Sequence, residues 1–241
     1  MWTKDFLLIC LTNLFVFLGF QLLMPVLPLY VESLGIGEEL IGLIAGVFTI
    51  SAVLIRPPVG YALDCRGRRG IYLAGLAIFV LTVFSYRWAV TVAWLIGLRL
   101  LQGLGWGAST TAAGTIVADV VPSSRRAEGM GYYGVFPTLA MAVAPTLGLA
   151  MAERYPFNLV FTISSGLGLL ALVLATQISA RLAPNCHGPR PFSWADLAEP
   201  KAFKAGLVMF FLTLCYGGVV TFISLYAEQR GVNNIGPYFA A

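Results

Sequence analysis

Charge is scarce in this sequence. Of its 241 residues, 11% are charged and 59% hydrophobic, and the mean hydropathy is +0.84. A soluble domain carries about 25% charged and about 45–50% apolar residues. So few charges cannot cover so much apolar side chain in water, which excludes an ordinary soluble fold and leaves lipid as the solvent. Histidine is scarcer still: His187 is the only one, and it reads as a loop residue in a polar stretch. The four cysteines, Cys10, Cys65, Cys186 and Cys215, lack the spacing of a metal site or a disulfide framework. Cys10 and Cys215 lie in apolar runs and read as small hydrophobic filler. No Gly-x-x-x-x-Gly-Lys-Ser/Thr loop occurs, so a nucleotide-driven pump is unsupported. A hydrolytic enzyme would want a Ser/His, His/Asp or metal cluster at membrane depth, and the lone histidine argues against one. The expectation is a protein that is not an enzyme and holds no cofactor or metal.

What the sequence does have is a series of long apolar segments. Seven are long enough to cross roughly 30 Å of hydrocarbon as helix. They lie near Phe6–Leu29, Leu40–Leu63, Gly70–Tyr86, Val90–Val117, Gly129–Met151, Phe157–Ser179 and Ala202–Tyr226, and an eighth begins at Ile235. The first exceeds the apolar core of a signal peptide and is followed by others, so it reads as a transmembrane helix. Helices are required because backbone exposed to lipid must bond within its own segment. The alternating segments of about ten residues that would make a β-barrel do not occur. The fold class is therefore all-α, a polytopic membrane protein.

Basic residues alternate by side. Lys4, Arg66, Arg68, Arg69, Arg125, Arg126, Arg181, Arg190, Lys201 and Lys204 fall at one set of span ends. Arg87, Arg154 and Arg230 fall at the other, together with Glu32, Glu38, Glu39, Glu153 and Glu228. The excess of positive charge places the N-terminus in the cytoplasm. Residues 1–180 then form a six-span bundle, 181–200 a cytoplasmic linker with Pro184, Pro189, Pro191 and Pro200, and 201–241 the start of a second bundle. Within the linker, Phe192, Trp194 and Leu197 suit either one face of a short interfacial helix or a plain loop.

Glycine punctuates the spans, as at Gly97, Gly103, Gly105, Gly107, Gly114, Gly166 and Gly168, which lets helices approach closely. Pro57, Pro58, Pro137 and Pro145 bend helices or interrupt their hydrogen-bond ladders. Both residues are common in membrane helices generally. Trp2, Tyr30, Tyr86, Trp88 and Trp94 read as interfacial anchors.

The most informative segment joins the second and third spans: Gly60-Tyr61-Ala62-Leu63-Asp64-Cys65-Arg66-Gly67-Arg68-Arg69. The turn is short, and Gly67 suits a positive φ. Asp64 lies among three arginines at helix ends, where pairing and helix dipoles both act. A plain positive-inside loop is the alternative reading. The segment resembles the short loop of the major facilitator superfamily, Gly-x-x-x-Asp-Arg-x-Gly-Arg-Arg/Lys. Gly60, Asp64, Gly67, Arg68 and Arg69 match position by position, while Cys65 replaces the usual first arginine and Arg66 follows it.

Met24 to Tyr30, Arg99 to Gly107 and Ala118 to Gly129 resemble further segments of drug-exporter relatives. In the fifth span Pro145 and Gly148 fit the exporter pattern, whereas Ala140, Ala144 and Leu149 replace glycines. The resemblance implies a loop that latches two halves on the cytoplasmic side, about twelve spans in a complete protein, and alternating access between two bundles.

Arg99 lies within the fourth span, where insertion costs about +2.5 to +3.5 kcal/mol near the centre. It is a candidate for lining or supporting a central cavity. Arg56 snorkels toward the surface in the favoured reading. Further candidates for cavity contact or helix packing are Thr12, Asn13, Gln21, Gln102, Gly103, Tyr132, Tyr133, Thr138, Pro145, Gly148 and Tyr216. No Asp or Glu lies deep in a span, so coupling to H+ or Na+ has no evident carboxylate in this part. The reading is secondary transport of a small solute, with efflux of a drug-like or metabolite substrate favoured. An uptake symporter or facilitator of the same superfamily is the alternative, and a channel or a non-transporting scaffold fragment the alternative of another class. The expected partners are the solute, the bilayer and a missing C-terminal half, with a homodimer as the lesser option and no nucleic acid.

Overall fold

The computed structural model describes residues 2–179 and, in a second unit, residues 203–204, 206–212 and 214–215, without the side chains of Glu38, Glu39 and Arg66. The chain divides into compact units Met1–Pro189 and Arg190–Ala241. In the second unit the described residues are helical and exposed. The linker reading, Tyr216 and the eighth span fall outside the described residues.

The first unit is a bundle of six spans. These are α1 (Lys4–Ser33), α2 (Glu38–Leu54) followed by α3 (Arg56–Arg66), α4 (Arg68–Ser85), α5 (Val92–Val120), α6 (Arg126–Arg154) and α7 (Phe157–Thr176). Helices α2 and α3 together form the second span, Leu40–Cys65. The break falls at Ile55, where Pro57 and Pro58 occupy the first turn of α3 and cannot donate to the preceding turn. Pro137 and Pro145 instead sit inside a continuous α6, and Pro25 and Pro28 inside α1.

At 1.5 Å per residue α1 is roughly 45 Å long and α5 and α6 nearly as long, enough to cross a bilayer. Five described helical stretches are also apolar enough to do so, and α5 is outside that set. Arg99, Gln102 and its serines, threonines and glycines lower its hydropathy. Thr3 begins α1, its side chain accepting from the Phe6 amide at 3.2 Å. Gly67 separates α3 from α4 at φ 87°, a conformation costly for a residue with a Cβ.

The pairing of helices has an internal symmetry. α1 packs on α6 and α7, α5 packs on α2 and α4, and α4 packs on α7. Exchanging the first three spans with the last three returns the same set of pairs. Because the fourth span runs opposite to the first, the repeat is inverted in topology. The core lies where α1 and α5 meet their neighbours. Trp106 of α5 stacks on Phe20 of α1 at 4.1 Å between centroids and touches Phe48 of α2 and Phe79 of α4.

Close approach depends on small residues at the crossings. A methyl group at Gly107 would stand 2.5 Å from the Ala52 carbonyl oxygen of α2, too close for any Cβ. On α6 the buried residues are Gly129, Ala140, Ala144 and Gly148, and a Cβ at Gly148 would collide with the Leu22 carbonyl of α1. The alanines at 140 and 144 thus belong to a contact strip that is narrow enough for close helix packing.

Candidate functional site

Two polar assemblies stand out, one inside the bundle and one at its basic end. The inner one is built on α5. Arg99 and Gln102 are three residues apart and share a helix face. Both are buried, Arg99 at 4% exposure and Gln102 at 0%. Arg99 Nη1 donates to Gln102 Oε1 at 3.1 Å, and the Tyr86 hydroxyl donates to the same oxygen at 2.7 Å. The guanidinium also lies 5.4 Å from the centre of the Phe48 ring, within cation–π range.

Among the described residues no carboxylate pairs with Arg99. Its Nε and the Gln102 Nε2 are buried without partners. A buried cation with donors to spare is attractive to an anion or a polar acceptor, and its cost persists only if something repays it. Gly103, next to Gln102, fits against Phe48 and Ser51 of α2 and brings the two helices together at this level.

The basic end is built from helix termini. Arg68, at the start of α4, forms an ion pair with Asp119 near the end of α5. Arg69 donates to the Thr176 carbonyl at the end of α7, and Arg126 to the Ala118 carbonyl of α5 at 3.0 Å. Cations at helix C-termini satisfy carbonyls that have no partner in the helix and oppose the dipole. Arg125 and Glu128 form a bidentate pair at 2.7 Å, and Asp5 accepts from the Ser179 amide at 2.9 Å, drawing α1 toward the end of α7. The described arginine contacts therefore tie elements of this one bundle together.

Several residues singled out by sequence do not join either assembly. Asp64 is exposed, and Arg68 turns to Asp119 instead. Gly60 and Gln21 are half-buried, Arg56 is exposed, and the Arg66 side chain is outside the description. Tyr132 is exposed and packs on Trp2 with ring centroids 5.0 Å apart. Tyr133 and Pro145 are half-buried on α6. Thr12 and Thr138 return their hydroxyls to the carbonyls of Leu8 and Gly134 within their own helices. Asn13 is buried at 4% exposure. Cys10 is fully buried, as filler would be, whereas Cys215 is exposed in the second unit.

Two of the expected interfacial aromatics belong to the interior. Tyr86 has 0% exposure and serves the Gln102 network. Tyr30 is buried and donates to the Ala89 carbonyl at 3.1 Å, packing on Phe161. Their position near span ends suggested water, but the protein supplies each hydroxyl with a partner instead, Gln102 of α5 for Tyr86 and the connection between α4 and α5 for Tyr30. Trp2, Trp88 and Trp94 are exposed.

Asp119 lies in the segment from Ala118 to Gly129, but nothing local names Arg68 as its partner, and nothing local marks Tyr86 as a donor to Gln102. The available signal for Asp119 was an acidic residue at a basic end facing three arginines. Among the described residues no group of three or more His, Cys, Asp or Glu is arranged to hold a metal ion.

Comparison with known proteins gives the same architecture. The chain is 30% identical over 170 residues to the quinolone resistance protein NorA of Staphylococcus aureus, covering 69% of this chain and 43% of that one. It is 27% identical over 172 residues to an MFS-type transporter of Methanocaldococcus jannaschii, covering 71% of this chain and 45% of the relative. The chain thus spans less than half the length of these curated relatives. Among solved structures, the human organic anion transporter MFSD10 (TETRAN) matches 98% of this chain and 68% of its own at TM-score 0.79 and 22% identity. A peptide transporter POT crystallised with sulfate matches 91% of this chain and 46% of its own, at TM-score 0.66 and 19% identity. Likeness at these identities establishes the fold. The family model of the Major Facilitator Superfamily matches residues 9–241, and the chain belongs to that family of membrane transporters.

Proposed function

We propose that this chain supplies the first bundle of a secondary transporter that exports a small drug-like or metabolite solute by alternating access. The observation that carries the reading is the 30% identity over 170 residues to a quinolone resistance protein. The buried Arg99–Gln102–Tyr86 network supports it, because a buried cation with unpartnered donors at membrane depth is costly and is kept where it serves a function. Alternating access needs two bodies that move against each other. The six-span unit is one, and a second bundle that follows residue 200 is the other, with a homodimer as the lesser option. The arginine-rich end faces the cytoplasm, the N-terminus included, and the protein resides in the cell membrane.

Coupling is to H+ or Na+, with the carboxylate that senses the ion in the second bundle, since the acidic residues of α1 to α7 lie at span ends. That same distribution favours a second reading, a facilitator that needs no coupling ion.

Purified chain with and without a second bundle, reconstituted into vesicles, tests the proposal. The two-bundle form should accumulate a quinolone against its gradient when a pH or sodium gradient is imposed, and the 241-residue form should be silent. Saturable counterflow by the short form would replace the two-bundle reading with a homodimer. Equilibrating flux indifferent to both gradients would leave the facilitator.

Orientation has its own check. Single cysteines at Arg68 or Arg125 should be shielded from an impermeant thiol reagent in intact cells, and one at Arg154 labelled. The opposite pattern would reverse the topology.

A further inference from the structure

We propose that a chamber between α1, α4 and α5 is a binding site for one ordered water molecule, held by Asn13, Ser109 and Thr110. The chamber is lined by Asn13 and Val16 of α1, Tyr72 and Leu76 of α4, and Ser109, Thr110 and Ala113 of α5, with about 10 Å³ of room. That is about the space a single water needs.

The chemistry of the lining is specific for it. Asn13 is 4% exposed, and its amide nitrogen is buried without a hydrogen-bond partner. A donor in that state costs free energy unless an acceptor reaches it. The neighbouring hydroxyls of α5 are already committed as donors. Ser109 Oγ donates to the Trp106 carbonyl at 3.1 Å, and Thr110 Oγ1 donates to the same carbonyl at 2.8 Å. Each hydroxyl has one proton and two lone pairs, so both oxygens still accept.

A water closes this account. Its oxygen accepts from the Asn13 amide, and its two protons go to Ser109 and Thr110. Three hydrogen bonds is the usual number for a buried water. A bare cation fits less well, because the amide directs a donor at the chamber while a cation requires acceptors.

The water joins α1 to α5, the two helices that exchange places in the inverted repeat, one helical turn from the Trp106 cluster. A bridge through water tolerates a small relative shift of these helices that a direct side-chain pair would not.

Two measurements decide the matter, both on the complete protein in lipid. A structure at a resolution that shows ordered water should carry a peak within hydrogen-bond distance of Asn13, Ser109 and Thr110. Asn13 paired directly to a protein oxygen, with no peak, overturns the proposal. So does a peak with shorter, cation-like contacts whose occupancy follows sodium concentration.

Thermal unfolding of Asn13→Ala, Ser109→Ala and the double variant is the second measurement. Asn13 and Ser109 share no direct hydrogen bond, so any coupling between them runs through the chamber they both line. Each single change should lower Tm by about 2–4 °C, and the double variant should fall little further than the worse single. Strictly additive shifts would show that nothing bridges the two. Should Asn13→Ala fail to fold, the near-isosteric Asn13→Leu paired with Ser109→Ala gives the same reading.

Discussion

Helices α5 and α6 are the same length, 29 residues, yet they meet opposite surroundings. Fourteen residues of α5 are buried, among them Arg99, Gln102 and Ser109, while α6 buries four, all glycine or alanine. On α6 the residues turned away from α1 include Val135, Leu139, Val143 and Leu147, all about half exposed. Over its membrane-crossing stretch the interior helix is the more polar of the two. In water the arrangement would be reversed, because a soluble core expels charge. Here lipid penalises a polar side chain more than the protein interior does, so the groups that need hydrogen bonds collect on the helix that its neighbours enclose. The two helices also use small residues differently. Those of α5 serve crossings with both α2 and α4, whereas on α6 Gly148 serves the crossing with α1 and Gly129 packs on Val121.

The sharpest way to break this comparison is to overfill one helix of each kind. Gly107→Leu drives a side chain into the backbone of α2, and overpacking of a tight interface costs about 1–3 kcal/mol or more. We expect it to prevent recovery of folded protein. Gly134→Leu on α6 meets open space around its Cβ, and yield should be close to that of the parent. Equal damage from the two would mean that a partner helix packs against Gly134.

Removing the shared acceptor of the inner network comes next. Gln102→Leu leaves the Tyr86 hydroxyl and the Arg99 guanidinium without their oxygen, which costs about 1–3 kcal/mol for unsatisfied buried groups. Gln102→Glu keeps an acceptor and adds a counter-charge, so it should recover much of that loss in denaturant unfolding. A Leu variant as stable as the parent would show the network to be idle.

A smaller effect is expected at the basic end. The side chains of Arg68 and Asp119 are 11% and 28% exposed, and partly solvated pairs contribute about 0–1 kcal/mol. A double-mutant cycle with Arg68→Ala and Asp119→Ala should give a coupling in that range that shrinks at high salt. If the pair instead holds a conformational state, the double cycle on transport rate will exceed the one on stability.

The smallest effect belongs to Leu139→Ala on the exposed face of α6. Substitutions away from packed features stay within about 0.5 kcal/mol. A loss of several times that would place Leu139 against a partner helix.

How far the sequence could be read differs by level. The six spans, their order and the turn at Gly67 were legible because lipid imposes length and apolarity on each helix and a tight turn imposes a positive φ. Gly67 has φ 87°, as expected of a residue without a Cβ. The break of the second span was half legible: Pro57 and Pro58 mark it, but Pro137 and Pro145 carry the same local signal and leave α6 continuous. Proline removes a donor wherever it stands, and surrounding packing decides whether the helix parts. Tyr30 and Tyr86 show the opposite failure. Both lie near span ends, but the partners that make them interior residues, Ala89 and Gln102, come from other elements of the chain.

By itself, then, the sequence determined that this is an all-helical membrane protein, which end of the bundle is basic, and to which superfamily the chain belongs. All of these follow from local quantities: apolar run length, charge between runs, and a motif contained in ten residues. Only the tertiary structure decided that Arg68 pairs with Asp119 rather than remaining beside Asp64, that Gln102 accepts from both Arg99 and Tyr86, and that Asn13 faces a chamber shared with α4 and α5. A hydrogen bond or ion pair depends on distances of a few ångströms between groups that mostly belong to different elements of the chain, and those distances exist only after the helices have packed.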